Sequence, residues 1–156
     1  MTDHLRLDEQ LCFPLYAASR AMTAVYRSKL DKLGLTYPQY LVMLALWERD
    51  GRSVGELCTA LSLDSGTLSP LLKRLQTTGF VERHRSTADE RRVEIRLTGA
   101  GRELRAQARD IPNEMADAVG LSLDELAALR DTLRHMTETL SAQPRAAHPR
   151  SEREHS

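Results

Sequence analysis

Apolar positions recur at helical spacing from about Asp8 to Leu33, at Leu11, Leu15, Ala18, Met22, Val25, Tyr26, Leu30 and Leu33. Gly34 stands where such a helix closes. Thr36-Tyr37-Pro38 opens a second helix, with Pro38 early, where a missing N–H costs little. Its apolar positions run from Tyr40 to Trp47, and Asp50-Gly51 stops it. Ser53-Val54-Gly55-Glu56 reads as a capping box, so a short third helix is predicted to about Leu61. Leu63-Asp64-Ser65-Gly66 turns into a fourth helix carrying Thr67, Leu68, Leu71, Leu72 and Leu75. Pro70 is placed in the first turn of that helix and Gly79 at its end.

The period then changes from helical to alternating. Phe80 to Arg85 and Arg92 to Leu97 read as two strands, joined by the polar stretch Ser86 to Arg91 into a hairpin. Thr98-Gly99-Ala100-Gly101 starts a fifth helix, predicted to reach about Ile111-Pro112. It continues or kinks through Met115 to Val119, since Pro112 removes a backbone bond. Ser122-Leu123-Asp124-Glu125 is a second capping box, opening a last helix to about Leu140.

This order predicts a mainly α chain with a small β-hairpin wing, a winged helix-turn-helix. Residues 1–7 form an N-terminal arm, 8–140 the domain, and 141–156 a charged, proline-bearing tail expected to be disordered. The helices at both ends are too long and too apolar for one small core to cover. Intertwining with a second copy would cover them, which predicts a two-fold homodimer.

The 156 residues carry a formal net charge of zero, which alone is unhelpful to a nucleic-acid binder. Local patches decide that matter. Between Lys73 and Arg109 stand ten Lys or Arg against five Asp or Glu, so positive charge is concentrated there. No apolar run reaches the roughly 20 residues that cross a bilayer, and no membrane association is expected. The N-terminus lacks the layout of a signal peptide, which predicts a cytoplasmic protein. The two cysteines, Cys12 and Cys58, are too far apart for a zinc motif or a disulfide framework. The five histidines are scattered. No metal or other cofactor is expected, and no acid/base constellation or phosphate loop points to an enzyme.

The fourth helix has the layout of a DNA reader. Short polar groups at its start (Asp64, Ser65, Thr67, Ser69) suit base edges and phosphates in the major groove, and Lys73 and Arg74 suit the backbone. At the hairpin tip, Arg91 and Arg92 can reach an adjacent minor groove, with Asp89 holding the tip through a charge-assisted hydrogen bond. The partner implied is double-stranded DNA, with a pseudo-palindromic operator matching the protein's two-fold axis.

From about Leu11 to Leu140 the chain resembles the MarR family of winged-helix regulators, through Asp89-Glu90-Arg91-Arg92 and Val93-Glu94-Ile95-Arg96-Leu97-Thr98. Within that family Leu11-Cys12-Phe13-Pro14-Leu15-Tyr16, Leu35-Thr36-Tyr37-Pro38-Gln39-Tyr40 and Leu63 to Arg74 resemble the organic-hydroperoxide sensors. A thiol at a helix start feels the positive end of the macrodipole, and tyrosine hydroxyls can donate to its thiolate. The resemblance implies that Cys12 is the redox-sensing residue, with Tyr16 on its own chain and Tyr26 and Tyr37 from the partner. It implies a repressor that releases DNA when an organic hydroperoxide oxidises Cys12. Some members resolve the sulfenic acid with a second cysteine, but Asn113 to Gly120 holds none. A mixed disulfide with a low-molecular-weight thiol, or over-oxidation, is then expected. Cys58 reads as a small buried thiol, and Tyr40 as a dimer-core residue with a satisfied hydroxyl. The competing reading is a regulator that binds a small aromatic ligand in the dimer crevice, with Cys12 incidental.

Overall fold

The computed structural model describes residues 4–144; the first three residues of the predicted arm, and 145–156 of the predicted tail, lie outside the described residues. The chain divides into two compact units, one ending at Met115 and the other starting at Ala116.

In the first unit a 3₁₀ turn at Leu7–Glu9 precedes α1 (Cys12–Leu30), which a second 3₁₀ turn, Asp31–Leu33, continues. Helix α1 therefore starts at Cys12, not Asp8, because the chain at Gln10 is extended (ψ 127°). Helix α2 (Tyr37–Glu48) begins on a capping box in which Thr36 and Gln39 bond reciprocally, with Pro38 in the first turn. It supplies much of the core, with Tyr40, Val42, Met43 and Leu46 all buried. Ser53 and Glu56 cap α3 (Val54–Leu61) in the predicted way. Helix α4 (Ser65–Thr78) starts where the Asp64 carboxylate accepts from the Thr67 N–H at 2.7 Å. Its stripe Leu68, Leu72 and Leu75, at i, i+4 and i+7, is buried and fixes which face turns outward. Gly79 ends it at φ +90°, a left-handed conformation that glycine adopts without steric cost.

Pro70 lies in the second turn of α4, deeper than the sequence predicts. The Asp64 cap sets the start of the helix, so Pro70 forgoes one internal bond while the leucine stripe keeps the helix continuous. The sheet has three strands, not two. Besides β2 (Val81–Arg85) and β3 (Val93–Leu97), the two-residue β1 (Arg52–Ser53) pairs antiparallel with β3, giving the order β1-β3-β2. Its register sets Arg52 opposite Ile95, and on the other side Val81 faces Leu97. Helix α5 (Gly99–Ala108) stops earlier than predicted, and α6 (Ile111–Val119) begins anew with Pro112 in its first turn. The kink foreseen at Pro112 is thus a full break.

Two polar junctions tie this module together. Thr98 donates its N–H to the Phe80 carbonyl and its hydroxyl to the Gly79 carbonyl, and its oxygen caps α5 at Gly101. Asp50 accepts from the Leu97 N–H at 2.9 Å and from the Gly51 N–H at 2.8 Å. The end of α4, the root of the hairpin and the start of α5 are therefore one bonded corner. In the second unit α7 (Leu123–Ser141) begins on the predicted Ser122/Glu125 capping box. None of its residues is buried, and Leu123, Leu129 and Leu140 are exposed.

Candidate DNA interface and thiol site

With Leu68, Leu72 and Leu75 facing inward, α4 presents Asp64, Ser65, Thr67, Ser69, Lys73 and Arg74 to solvent. Asp64 is occupied as the cap. The hydroxyls of Ser65, Thr67 and Ser69 and the charges of Lys73 and Arg74 have no side-chain partner among the described residues. Such a row of short donors followed by cations matches what a major groove and its flanking phosphates accept.

The hairpin tip treats its two arginines differently. Asp89 accepts from the Arg91 backbone N–H at 3.0 Å, and the Asp89 carbonyl accepts from the Arg92 N–H at 2.9 Å. Ser86, buried at the start of the connection, accepts from the Ala88 N–H. The turn is thus held by its own polar groups. The Arg91 guanidinium projects without a partner among the described residues, whereas Arg92 is bonded to Glu56 on α3 at 2.8 Å. Sequence reasoning found the Glu56 cap but missed this contact. Arg92 meets the same Glu56 oxygen that closes the capping box, while the second oxygen pairs with Arg49, and nothing in the local spacing signals a partner 36 residues away.

Cys12 is the first residue of α1 and is exposed, and the helix start has no side-chain cap. Tyr16 follows four residues later, on the same face one turn on, with Arg20 stacked over its ring at 5.5 Å. Tyr26 and Tyr37 lie elsewhere. Tyr26 is 14 residues along the same helix, so about 21 Å from Cys12 at roughly 1.5 Å rise per residue. It packs against Tyr37 with ring centroids 4.8 Å apart, and Tyr40 joins at 5.8 and 6.4 Å. One chain therefore brings Cys12 to Tyr16 and Tyr26 to Tyr37, but not the two pairs to each other. Tyr40 is a buried core residue and also the third member of the tyrosine cluster. Cys58 packs against the core, partly buried.

Burial, and then the neighbouring Tyr37 and Tyr40, push the Tyr26 hydroxyl up to about 12, and burial raises Tyr37 and Tyr40 as well. These hydroxyls remain donors at neutral pH. Because the shift is upward, its contribution to stability is present below about 10, the usual tyrosine value, and is lost as pH climbs through about 12. An alkaline absorbance titration should show phenolate still forming well above pH 10, and Tyr26→Phe should remove the latest component. Completion near pH 10 in the wild type would contradict the buried cluster.

Comparison with known proteins gives this arrangement a family. Residues 24–107 match the model of the transcriptional regulators SarA/Rot. A Bacillus subtilis (strain 168) protein, the organic hydroperoxide resistance transcriptional regulator, is 47% identical over 138 residues, spanning 88% of this chain and 94% of its own. The chain belongs to the SarA/Rot and MarR-type winged-helix regulators. A second member, the HTH-type transcriptional regulator TtmR of Methylorubrum extorquens (strain PA1), is 50% identical over 140 residues, covering 90% of this chain and 72% of that one. Among solved structures, reduced AbfR bound to DNA, a Staphylococcus epidermidis protein, superposes with a TM-score of 0.72 at 36% identity, covering 88% and 96% of the two chains. This winged-helix regulator is accordingly a DNA-binding transcriptional regulator. No described helix is long and apolar enough to cross a membrane.

Proposed function

We propose that this regulator is a cytoplasmic homodimeric repressor that senses organic hydroperoxides through Cys12. The observation that carries the reading is the division of the thiol pocket. Cys12 and Tyr16 stand at one end of α1 and the Tyr26–Tyr37 pair about 21 Å further on. Only a second copy, laid against the first, can supply Tyr26 and Tyr37 to the thiol. The same surface needs covering, since Leu11 just before α1 and Phe13, Tyr16, Met22 and Val25 on it are exposed in the single chain. The likeness to the Bacillus subtilis hydroperoxide regulator supports the oxidant class.

In the reduced dimer two α4 helices enter successive major grooves of a pseudo-palindromic duplex. Ser65, Thr67 and Ser69 meet base edges or phosphates, and Asp64 holds the start of the helix. Lys73 and Arg74 grip the backbone, and the wing, shaped by Asp89, places Arg91 beside the minor groove, with Arg92 behind it. The Cys12 thiolate attacks the outer peroxide oxygen, breaking the O–O bond. Sulfur is oxidised to a sulfenate, the alkoxide takes a proton and leaves as the alcohol, and the sulfenate is protonated to sulfenic acid. The sulfenic acid, larger than the thiolate by one oxygen, cannot accept the tyrosine hydrogen bonds where the thiolate did, so they let go and the spacing of the two α4 helices changes. A low-molecular-weight thiol then condenses with the sulfenic acid, giving a mixed disulfide and water.

A gel shift at fixed salt tests this, comparing reduced protein with protein treated with cumene hydroperoxide. Salt must be fixed because phosphate contacts make affinity strongly salt-dependent. Treated protein should release its operator while mass spectrometry finds one added oxygen, or one thiol adduct, on Cys12. Release with Cys12 unmodified would overturn the reading. Release by a small aromatic acid alone would favour the crevice-ligand alternative.

A further inference from the structure

Glu56 sits at a crossing of three elements. Its carboxylate accepts from the Ser53 N–H at 2.7 Å, closing the capping box of α3. One oxygen pairs with Arg49, beyond the end of α2, at 3.1 Å, and the other with Arg92, at the end of the hairpin connection, at 2.8 Å. Arg92 is 36 residues away in sequence, so this is a tertiary tie and not a local one. The Ser53 N–H first, then Arg49, hold the carboxyl down to about 2, so it stays ionised at any physiological pH.

The consequence is electrostatic as well as mechanical. Arg91 and Arg92 are adjacent cations on one turn, yet only Arg91 is left unpaired among the described residues. A guanidinium held bidentately or singly by a carboxylate is poorly placed to release counterions from a phosphate. We infer that Glu56 is a specificity-determining positioning residue of the DNA-binding module. By neutralising Arg92 and pinning the hairpin tip to α3, it leaves Arg91 as the one unpaired cation of the two at the tip. A tip with two free arginines would grip any duplex; a tip with one, aimed by its anchor, grips fewer. This rests on the reading of α4 and the wing as the DNA interface.

The test uses the full-length protein, a duplex selected from random sequence by the wild type, and a scrambled duplex of equal length. Affinity for each is measured against salt. Glu56→Gln keeps the capping acceptor, since glutamine serves at that position, but removes the charge that holds Arg92 and Arg49. It should raise affinity for the scrambled duplex on the order of tenfold and steepen the salt slope by about one. The ratio of selected to scrambled affinity should fall. Arg92→Gln alone should leave the slope at its wild-type value, and added to Glu56→Gln it should restore that value. Glu82→Gln, which removes the same charge from β2 where Glu82 pairs with His84, should not steepen the slope.

An unchanged slope in Glu56→Gln would overturn the inference. So would a slope lowered by about one in Arg92→Gln alone, because Arg92 would then already be gripping phosphate. That second variant leaves the α3 cap intact and decides the matter even if Glu56→Gln fails to fold. Arg91→Ala separates the two levels: it should weaken binding and flatten the slope. If it does neither, the wing is not at the DNA, and the interface reading fails independently of Glu56.

Discussion

Cys12→Ser is expected to hold its operator as tightly as the reduced wild type and to keep holding it after hydroperoxide treatment. The hydroxyl is nearly the size of the thiol, sits at the same exposed first position of α1, and cannot be oxidised under these conditions. Reduced-state affinity should therefore stay within a few-fold, while the oxidative response disappears. The size of that response follows from what the thiolate loses. Hydrogen bonds to a charged group contribute about 1.5–3 kcal/mol each. Loss of two tyrosine donors per pocket gives roughly 3–6 kcal/mol, or about 10² to 10⁴ in operator affinity. That spans the differential needed to move a regulator from mostly bound to mostly free, about 10⁴ at the extreme.

Tyrosine variants sharpen the same expectation. Tyr26→Phe and Tyr37→Phe keep the stacked rings, so the cluster should survive. Each removes one donor, so oxidation should still occur, more slowly, and release should be weaker. A Cys12→Ser protein that still leaves DNA under peroxide would show that another group carries the signal. Cys58 would be the next thiol to examine, since it is only partly buried.

Much of this was legible along the chain because local chemistry and tertiary structure agree. The Ser53–Glu56 and Ser122–Glu125 boxes start α3 and α7 as read, and Gly79 ends α4 at the left-handed angle its position demands. The Leu68, Leu72, Leu75 stripe alone determines which face of α4 is outward. What escaped depends on partners far away in sequence. A strand of two residues, Arg52–Ser53, carries no periodicity and exists because β3 passes beside it. The break between α5 and α6 falls before Pro112, where the sequence reads as continuing or kinking. The thiol site divided in the same way. Cys12 and Tyr16 are one helical turn apart and can be paired by counting. The Tyr26, Tyr37 and Tyr40 cluster required the fold of α1 against α2; Tyr40 read as dimer core, whereas the packing of the single chain buries it beside Tyr26 and Tyr37.

The largest effect on stability is expected at Gly101, where helix propensity points the wrong way. Replacing a helical glycine by alanine ordinarily stabilises by up to about 1 kcal/mol. Here a Cβ would stand 2.1 Å from the Phe80 carbonyl oxygen and 3.1 Å from its carbon. Backbone cannot rotate aside as a side chain does. That same carbonyl accepts from the Thr98 N–H, and the Gly101 carbonyl accepts from Trp47 Nε1 at 2.9 Å. Relief of the clash therefore loosens the corner joining α4, the wing and α5. Forced overpacking costs about 1–3 kcal/mol, and the propensity gain offsets only part of a clash with fixed backbone. For a chain of this length that corresponds to a midpoint lowered by roughly 3–10 °C. Gly99→Ala is the control, since nothing lies within 4 Å of its Cβ; it should be neutral or slightly stabilising. Because Phe80 directly follows the end of α4, Gly101→Ala should also weaken operator binding at temperatures where it remains folded. Calorimetry of both variants checks the sign. A Gly101→Ala midpoint equal to that of Gly99→Ala would mean that α5 can withdraw from the wing at no cost, and the bonded corner would then not be what fixes the wing against α4.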